Sequence, residues 1–257
     1  FFNGTPKKNI NVNGPGSLIF NHANGKIEST EFKNLTLPNL FGYILYSGIN
    51  FLNSSVTIRN TKISDIDIED AINFVSSKVF IEDIFFEDIS YDALDSDFSN
   101  LNFDRIECYN VKNDCLDTSS SIVIGKNILA HKIGDKALSL GEQSDVRIEN
   151  ININNAHLGL AAKDGSHVKI ESINLNNLEF DIALYKKKEF FLRNTNVEIK
   201  NLVSDLSNKS YKILKNRKSK LTIDNEAIAK IKVKNSNKIF ETVTKWNLDS
   251  KENIQDT

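Results

Sequence analysis

Methionine is missing from all 257 residues, and the chain begins at Phe1. We read the sequence as a piece excised from a longer protein, so the lack of a signal peptide says nothing about secretion. Cysteine occurs only at Cys108 and Cys115, too few for a disulfide framework and without metal-ligand spacing. The expectation is two small, partly buried apolar side chains. No apolar run approaches the roughly 18 residues that cross a bilayer, so membrane insertion is not expected. An excess of one charge is also lacking, since 32 basic against 34 acidic residues leave a net −2. A nucleic-acid partner is excluded on that ground, because the basic footprint is absent. Only five arginines occur (Arg59, Arg105, Arg147, Arg193 and Arg217), which removes most bidentate phosphate readers. Phosphate loops, nucleophile elbows and zinc spacing are absent, and the histidines (His22, His131, His157, His167) are scattered.

What is present is a repeat. Asp92-Ala93-Leu94-Asp95 returns 22 residues later as Asp114-Cys115-Leu116-Asp117, and Asp70-Ala71-Ile72-Asn73 precedes it by the same interval. Worn copies follow in Asp135-Lys136-Ala137-Leu138-Ser139 and Gly159-Leu160-Ala161. A fixed period of this length marks a solenoid, in which each repeat stacks on the last. With 40% hydrophobic and 26% charged residues, the chain can bury a long core.

Each coil carries three short segments of alternating apolarity. The first supplies the columns Ile49, Ile72, Leu94, Leu116, Leu138, Leu160 and Phe51, Phe74, Ser96, Thr118, Leu140, Ala162. The second supplies Val56/Ile58, Val79/Ile81, Leu101/Phe103, Ile122/Ile124, Val146/Ile148 and Val168/Ile170. The third supplies Ile63/Ile66, Ile84/Ile89, Ile106/Val111, Ile128/Ile133, Ile151/Ala156 and Ile173/Leu178. Alternation and β-branching argue for strands, and no 3.6-residue stripe competes. The predicted fold is all-β, a right-handed three-sided parallel β-helix with a C-terminal cap. Asn110, Asn150, Asn155 and Asn177 fall at its corners, where asparagine tolerates left-handed backbone.

Residues 1–16 read as an irregular lead-in and 17–47 as a divergent first coil with an insertion. That insertion, over 36–47, carries Phe41, Tyr43 and Tyr46 and is expected to pack over the end of the core. Regular coils run from 48 to 200. The lysine-rich segment from 201 is the cap that a solenoid needs over its last edge, and 247–257 is a disordered tail.

Alternation turns Asp95 and Asp97 outward, with Asp117 one coil on in the column of Asp95 and Asn73 one coil before. Asn50 begins that column, and Ser139 and Ala161 end it. Asp92 and Asp114, with Asp70 and Asp135, form a further stack at the corner. Like charges about 5 Å apart repel by roughly 1 kcal/mol in water and about 3 at a dielectric of 20. A cation, a retained proton or backbone N–H bonds must offset this. For catalysis, Asp95 and Asp97 lie roughly 6–7 Å apart on one strand, near the gap that holds water in inverting glycosidases. Asp95 and Asp117, near 5 Å across coils, can share a proton and act as acid and base. Asn73, Asp114, Lys163 and Lys186 are candidate substrate contacts, with Lys186 and Lys187 placed to meet an acidic sugar. A calcium ion would take Asp95, Asp97, Asp117 and Ser119, water or a uronate completing six to eight oxygens. Aspartate ladders also decorate turns, which accounts for Asp92 and Asp114 without chemistry.

On the phrases Asp-Ala-Leu-Asp-Ser-Asp-Phe-Ser, Asn-Asp-Cys-Leu-Asp-Thr-Ser-Ser-Ser, Gly-Asp-Lys-Ala-Leu-Ser-Leu-Gly-Glu and Gly-Leu-Ala-Ala-Lys-Asp-Gly-Ser, residues 48–200 resemble the right-handed β-helix repeats of bacterial surface and secreted proteins. More distantly the chain is similar to the pectin-lyase-like superfamily of pectate lyases, polygalacturonases, alginate epimerases and phage tailspikes. That resemblance implies a polysaccharide-facing module that binds or processes its polymer, part of a larger secreted or cell-surface protein. It also maps the three hydrolytic aspartates of polygalacturonases loosely onto Asp95, Asp114 and Asp117. The Gly-His-Gly and Arg-Ile-Lys elements of that family are missing, as is the lyase arginine. A non-catalytic spacer or adhesion domain is the rival reading.

Overall fold

In a computed structural model, described over residues 10–14, 16–36, 47–203, 212–223, 231–234 and 237–243, the chain is a parallel β-solenoid of about nine coils. Parallel pairing carries each segment onto its copy in the next coil. Asp70–Val75, Asp92–Asp97 and Leu116–Ser119 stack as the first sheet, with Leu94 on Ile72 and Leu116 on Leu94. The second sheet stacks Val56, Val79, Leu101, Val123, Val146 and Val168. The third stacks Ile84, Ile106, Ile128, Ile151 and Ile173. The core fills the space the three sheets enclose, with Phe20, Phe51 and Phe74 stacked at one end. Left-handed backbone recurs at one corner at Asp65, Asp88, Asn110, Lys132, Asn155 and Asn177, which accounts for three of the four predicted corner asparagines. Asn150 holds the other corner through its side chain, donating to Asn127 Oδ1 at 3.3 Å.

A second ladder, of serines, fastens the corner after the first sheet. The backbone N–H of Ser54 donates to Ser77 Oγ, that of Ser77 to Ser99 Oγ and that of Ser99 to Ser121 Oγ, at 2.9–3.0 Å. The same hydroxyls donate back to carbonyls of the preceding coil, Ser99 Oγ to Phe74 O at 3.0 Å. The turn polar groups are thus satisfied without water.

Three expectations are corrected. Ile122 and Ile124 do not face the core; they are 54% and 51% exposed, and Val123 and Gly125 take the inward places. The reason lies one coil earlier. The Phe103 ring occupies the slot, so that a Cβ on Gly125 would stand 1.9 Å from its Cζ. Cys108 and Cys115 form a disulfide and are fully buried rather than separate and partly buried, because one faces inward from the third sheet and the other from the entry to the first. In the third sheet Ile63 pairs with Phe86, and Thr61 takes the place beside Ile84.

Strand pairing extends beyond the regular coils at both ends. Ile10–Asn13 pairs with Thr30–Lys33, while Ile213–Lys215 and Lys220–Ile223 continue the first and second sheets. A short helix over 237–243 lies across the outside of the first sheet, packing Ile239 and Val243 on Leu158, Ala161, Ala183, Tyr185 and Leu214. His157 Nε2 and Val243 O, 3.2 Å apart, tie its end. Most of the insertion, with Phe41, Tyr43 and Tyr46, and the tail from 247 lie outside the described residues.

Candidate functional site

The outward column of the first sheet changes character along the solenoid. It runs Asn50, Asn73, Asp95, Asp117, Ser139, Ala161, Ala183, Leu214. The apolar end is the part the helix covers, and the acidic part stays open. Asp97 and Ser119 pair in the adjacent column, so Asp95, Asp97 and Asp117 meet on one face as predicted. Asn73 joins them, its Nδ2 donating to Asp95 Oδ2 at 3.2 Å.

The corner stack is Asp70, Asp92, Asp114 and then Lys136, where Asp135 was expected. Successive members lie 22 residues apart, which sets Lys136 and not Asp135 on Asp114; the register shift between Ile133 and Lys136 falls against the following coil. Asp92 Oδ1 accepts the N–H of Asp114 at 2.8 Å, and Asp114 Oδ1 accepts that of Lys136 at 3.0 Å. Each carboxyl of this pair therefore caps the coil below it. The Lys136 ammonium lies 3.3 Å from Asp114 Oδ1 and also contacts Asp135.

Lys163 closes the acidic face. Its Nζ donates to Ser139 Oγ at 2.8 Å and stands 3.7 Å from Asp117 Oδ1, two coils away. It reaches that far because Gly141 leaves its path open, where a Cβ would fall 2.6 Å from Lys163 Cε. Glu142 sits at the rim, accepting from Ser119 Oγ at 2.9 Å and pairing with Lys188 at 2.7 Å.

Burial and mutual repulsion push these acids above the usual carboxylate range. Burial first, then the charges of Asp117 and Asp97, keeps Asp95 well above the usual carboxylate range. Burial and the charge of Asp114 do the same for Asp92. Asp97 is raised by burial and by Asp117. Burial lifts Asp114 to about 6 against the pull of Lys136, and lifts Asp70 to about 7 although Ser47 donates to it at 2.7 Å. Burial works against the charged form of Lys163 and Lys136, yet neighbouring carboxylates outweigh it and raise both. Of the three offsets expected for stacked acids, backbone N–H donors are in place at Asp92 and Asp114, and the raised carboxyls favour a held proton.

The cation is the third. Among the described residues the carboxylates that share a 4.8 Å neighbourhood are Asp92, Asp114 and Asp117. This is a different set from Asp95, Asp97 and Asp117. It suits calcium poorly, because a lysine ammonium already contacts Asp114 and Asp92 Oδ1 is taken by N–H donors. Lys186 stands apart from the acids, in a basic pocket at the corner beyond Tyr185. Lys136 and Glu142 went unnoticed in the sequence, although Lys136 lies one period after Asp114. Among the described residues, no helix is long and apolar enough to cross a membrane. Comparison with family profiles, with curated proteins and with solved structures finds no match to this chain.

Proposed function

We propose that the chain is a carbohydrate-facing β-helix module of a larger secreted or cell-surface protein, which binds or processes a polysaccharide along the face bearing Asp95, Asp97 and Asp117. The observation that carries this reading is the meeting of Asp95, Asp97 and Asp117 on one face, with Asp117 the register partner of Asp95 one coil on. Burial and the charges of Asp117 and Asp97 raise the Asp95 carboxyl above the usual carboxylate range. A carboxylic acid beside a second carboxyl is the equipment of glycosidic bond cleavage, the first protonating the leaving oxygen and the second serving as base or nucleophile. In this reading Asp95 is the acid and Asp117 its partner. Asp97 lies two residues along the strand, and Asn73 positions Asp95. The resemblance of the repeat phrases to the β-helix repeats of bacterial surface and secreted proteins supports the substrate class. The Cys108–Cys115 disulfide supports an oxidising compartment outside the cytosol.

The capping bonds of Asp92 and Asp114 favour a second reading, a non-catalytic spacer or adhesion domain whose aspartates serve the backbone. One experiment separates them. Calorimetry and reducing-end release are followed on neutral and acidic polysaccharides with the native chain and with Asp95→Asn/Asp117→Asn. Binding or cleavage that vanishes in the variant while its melting temperature holds or rises supports the glycan reading. A native chain that neither binds nor cleaves any polymer would leave the spacer.

A further inference from the structure

The acidic face ends against a region of opposite charge that the site above does not use. Between the loop 186–194 and the turn 216–219 lies a pocket of about 700 Å³, whose lining among the described residues includes Lys186, Arg193, Arg217, Lys218 and Lys234 against one acid, Glu189. In a chain of net charge −2, five cations around one cavity are a local reversal of sign. Among the described residues, none forms an ion pair with Arg217, Lys218 or Lys234.

Both walls are tied down. Arg193 is anchored by donating to Gln143 O at 2.5 Å and to Gly165 O, with Asp145 Oδ1 at 3.3 Å. Asp164 accepts the N–H groups of Lys187 and Lys188 at 2.6 and 2.7 Å, which fixes the start of the loop. Opposite, Ser219 N–H donates to Asn216 Oδ1 at 2.7 Å, and Lys215 Nζ donates to the carbonyls of Asn216 and Ser219 at 3.2 and 2.9 Å. Arg217 and Lys218 project from the middle of that braced turn and are exposed. The cavity is thus of ligand size and lined on both walls by cations that an anion could meet. A chain of side-chain contacts links it to the acidic face. Ser119 beside Asp117 bonds Glu142, Glu142 pairs with Lys188, and Lys188 belongs to the loop that forms the wall.

We propose that this pocket is a separate subsite for the carboxylate or sulfate groups of an anionic glycan, so that the polymer meeting the acidic face is itself acidic. The inference rests on the glycan reading for the kind of polymer, while its geometry is independent of Asp95 and Asp117. Arg217 supplies a bidentate donor to the oxyanion, and Lys218 and Lys234 supply point charges.

The test is calorimetric titration of the whole chain with polygalacturonate and dextran sulfate, with neutral dextran, polyphosphate and duplex DNA beside them. The variants are Arg217→Ala/Lys218→Ala and Asp95→Asn/Asp117→Asn, each checked by melting temperature. The inference expects an anionic glycan to bind and neutral dextran not to. It expects binding to weaken as salt rises and by roughly tenfold or more in the arginine–lysine variant. The stronger of the two glycans says whether sulfate or carboxylate is the group read. Unchanged affinity in that variant, no affinity for either anionic glycan, or tighter binding of polyphosphate or DNA overturns it. Loss confined to the aspartate variant sinks the pocket and keeps the acidic face. Loss confined to the arginine–lysine variant does the reverse.

Discussion

Replacing Asp70 by asparagine should make the protein more stable in weak alkali and leave it unchanged in acid. Asp70 is buried at the end of the acidic corner stack, and burial carries its carboxyl from 3.8 to about 7. Below pH 3.8 both folded and unfolded chains hold the proton, and the group contributes nothing. Between 3.8 and about 7 the unfolded chain releases its proton while the folded chain keeps it, so stability falls as pH rises. Above about 7 both are ionised and the full penalty is present. At about 1.36 kcal/mol per pH unit, the penalty is about 4 kcal/mol. Asparagine cannot ionise yet still offers Oδ1 to the Ser47 hydroxyl, which now donates to Asp70 at 2.7 Å. Asp114 would be a poorer probe, since its removal also takes one of the two carboxylates that meet the Lys136 ammonium. Urea unfolding at pH 4 and pH 8 makes the comparison. The native chain should be the less stable at pH 8, and Asp70→Asn should shrink that gap by about 4 kcal/mol. A native chain equally stable at both, or a variant with the same gap, would refute the burial argument.

Converting Cys108 and Cys115 to serine together should cost about 2.4 kcal/mol in denaturant, the loop-closure figure for seven residues, and an unmoved midpoint would exclude it. Lys163→Met should destabilise by about 1–3 kcal/mol because it takes the facing cation from the half-buried Asp117 and the donor from Ser139, and adding Asp117→Asn should recover part of the loss. Purely additive effects would show that the pair does not interact. Gly125→Ala should cost about 1–3 kcal/mol and Phe103→Ala about 3–5, while the double change should cost less than both together, since the ring and the missing side chain fill one space. Unfolding free energies of the three variants decide this, and a simple sum would mean the two positions are uncoupled.

The coil period and the first-sheet columns were legible because the interior selects like for like at fixed spacing, and Asp95, Asp97 and Asp117 followed from alternation alone. The failures have local causes. At Ile122 and Ile124 hydrophobicity pointed outward, because the inward place is filled by the neighbouring coil's phenylalanine over a glycine. At Asp135 the period was misapplied by one residue, since 22 residues after Asp114 stands Lys136, which enters the acidic stack. The reach of Lys163 across two coils depends on the space above Gly141, which no strand pattern records. The disulfide was within reach, since alternation places Cys108 inward, but seven intervening residues hide the fold of the chain around the corner. The serines at 54, 77, 99, 121 and 144 were legible and passed over, a polar column at the corner that apolar columns overshadow.

That serine ladder makes the coils interchangeable. From Ser54 to Ser121 each turn after the first sheet offers the same amide to the next coil and the same hydroxyl to the last, so one of these coils can follow another without a special joint. Excising residues 78–99 would rejoin Ser77 to Asn100 inside an unbroken ladder, with Ser121 Oγ in place of Ser99 Oγ. The excised coil would take Asp92, Asp95 and Asp97 with it, leaving a shorter rod without its acidic face. Length and chemistry are therefore separable in this molecule: whole coils set how far the rod extends, and substitutions within two of them set what its surface meets.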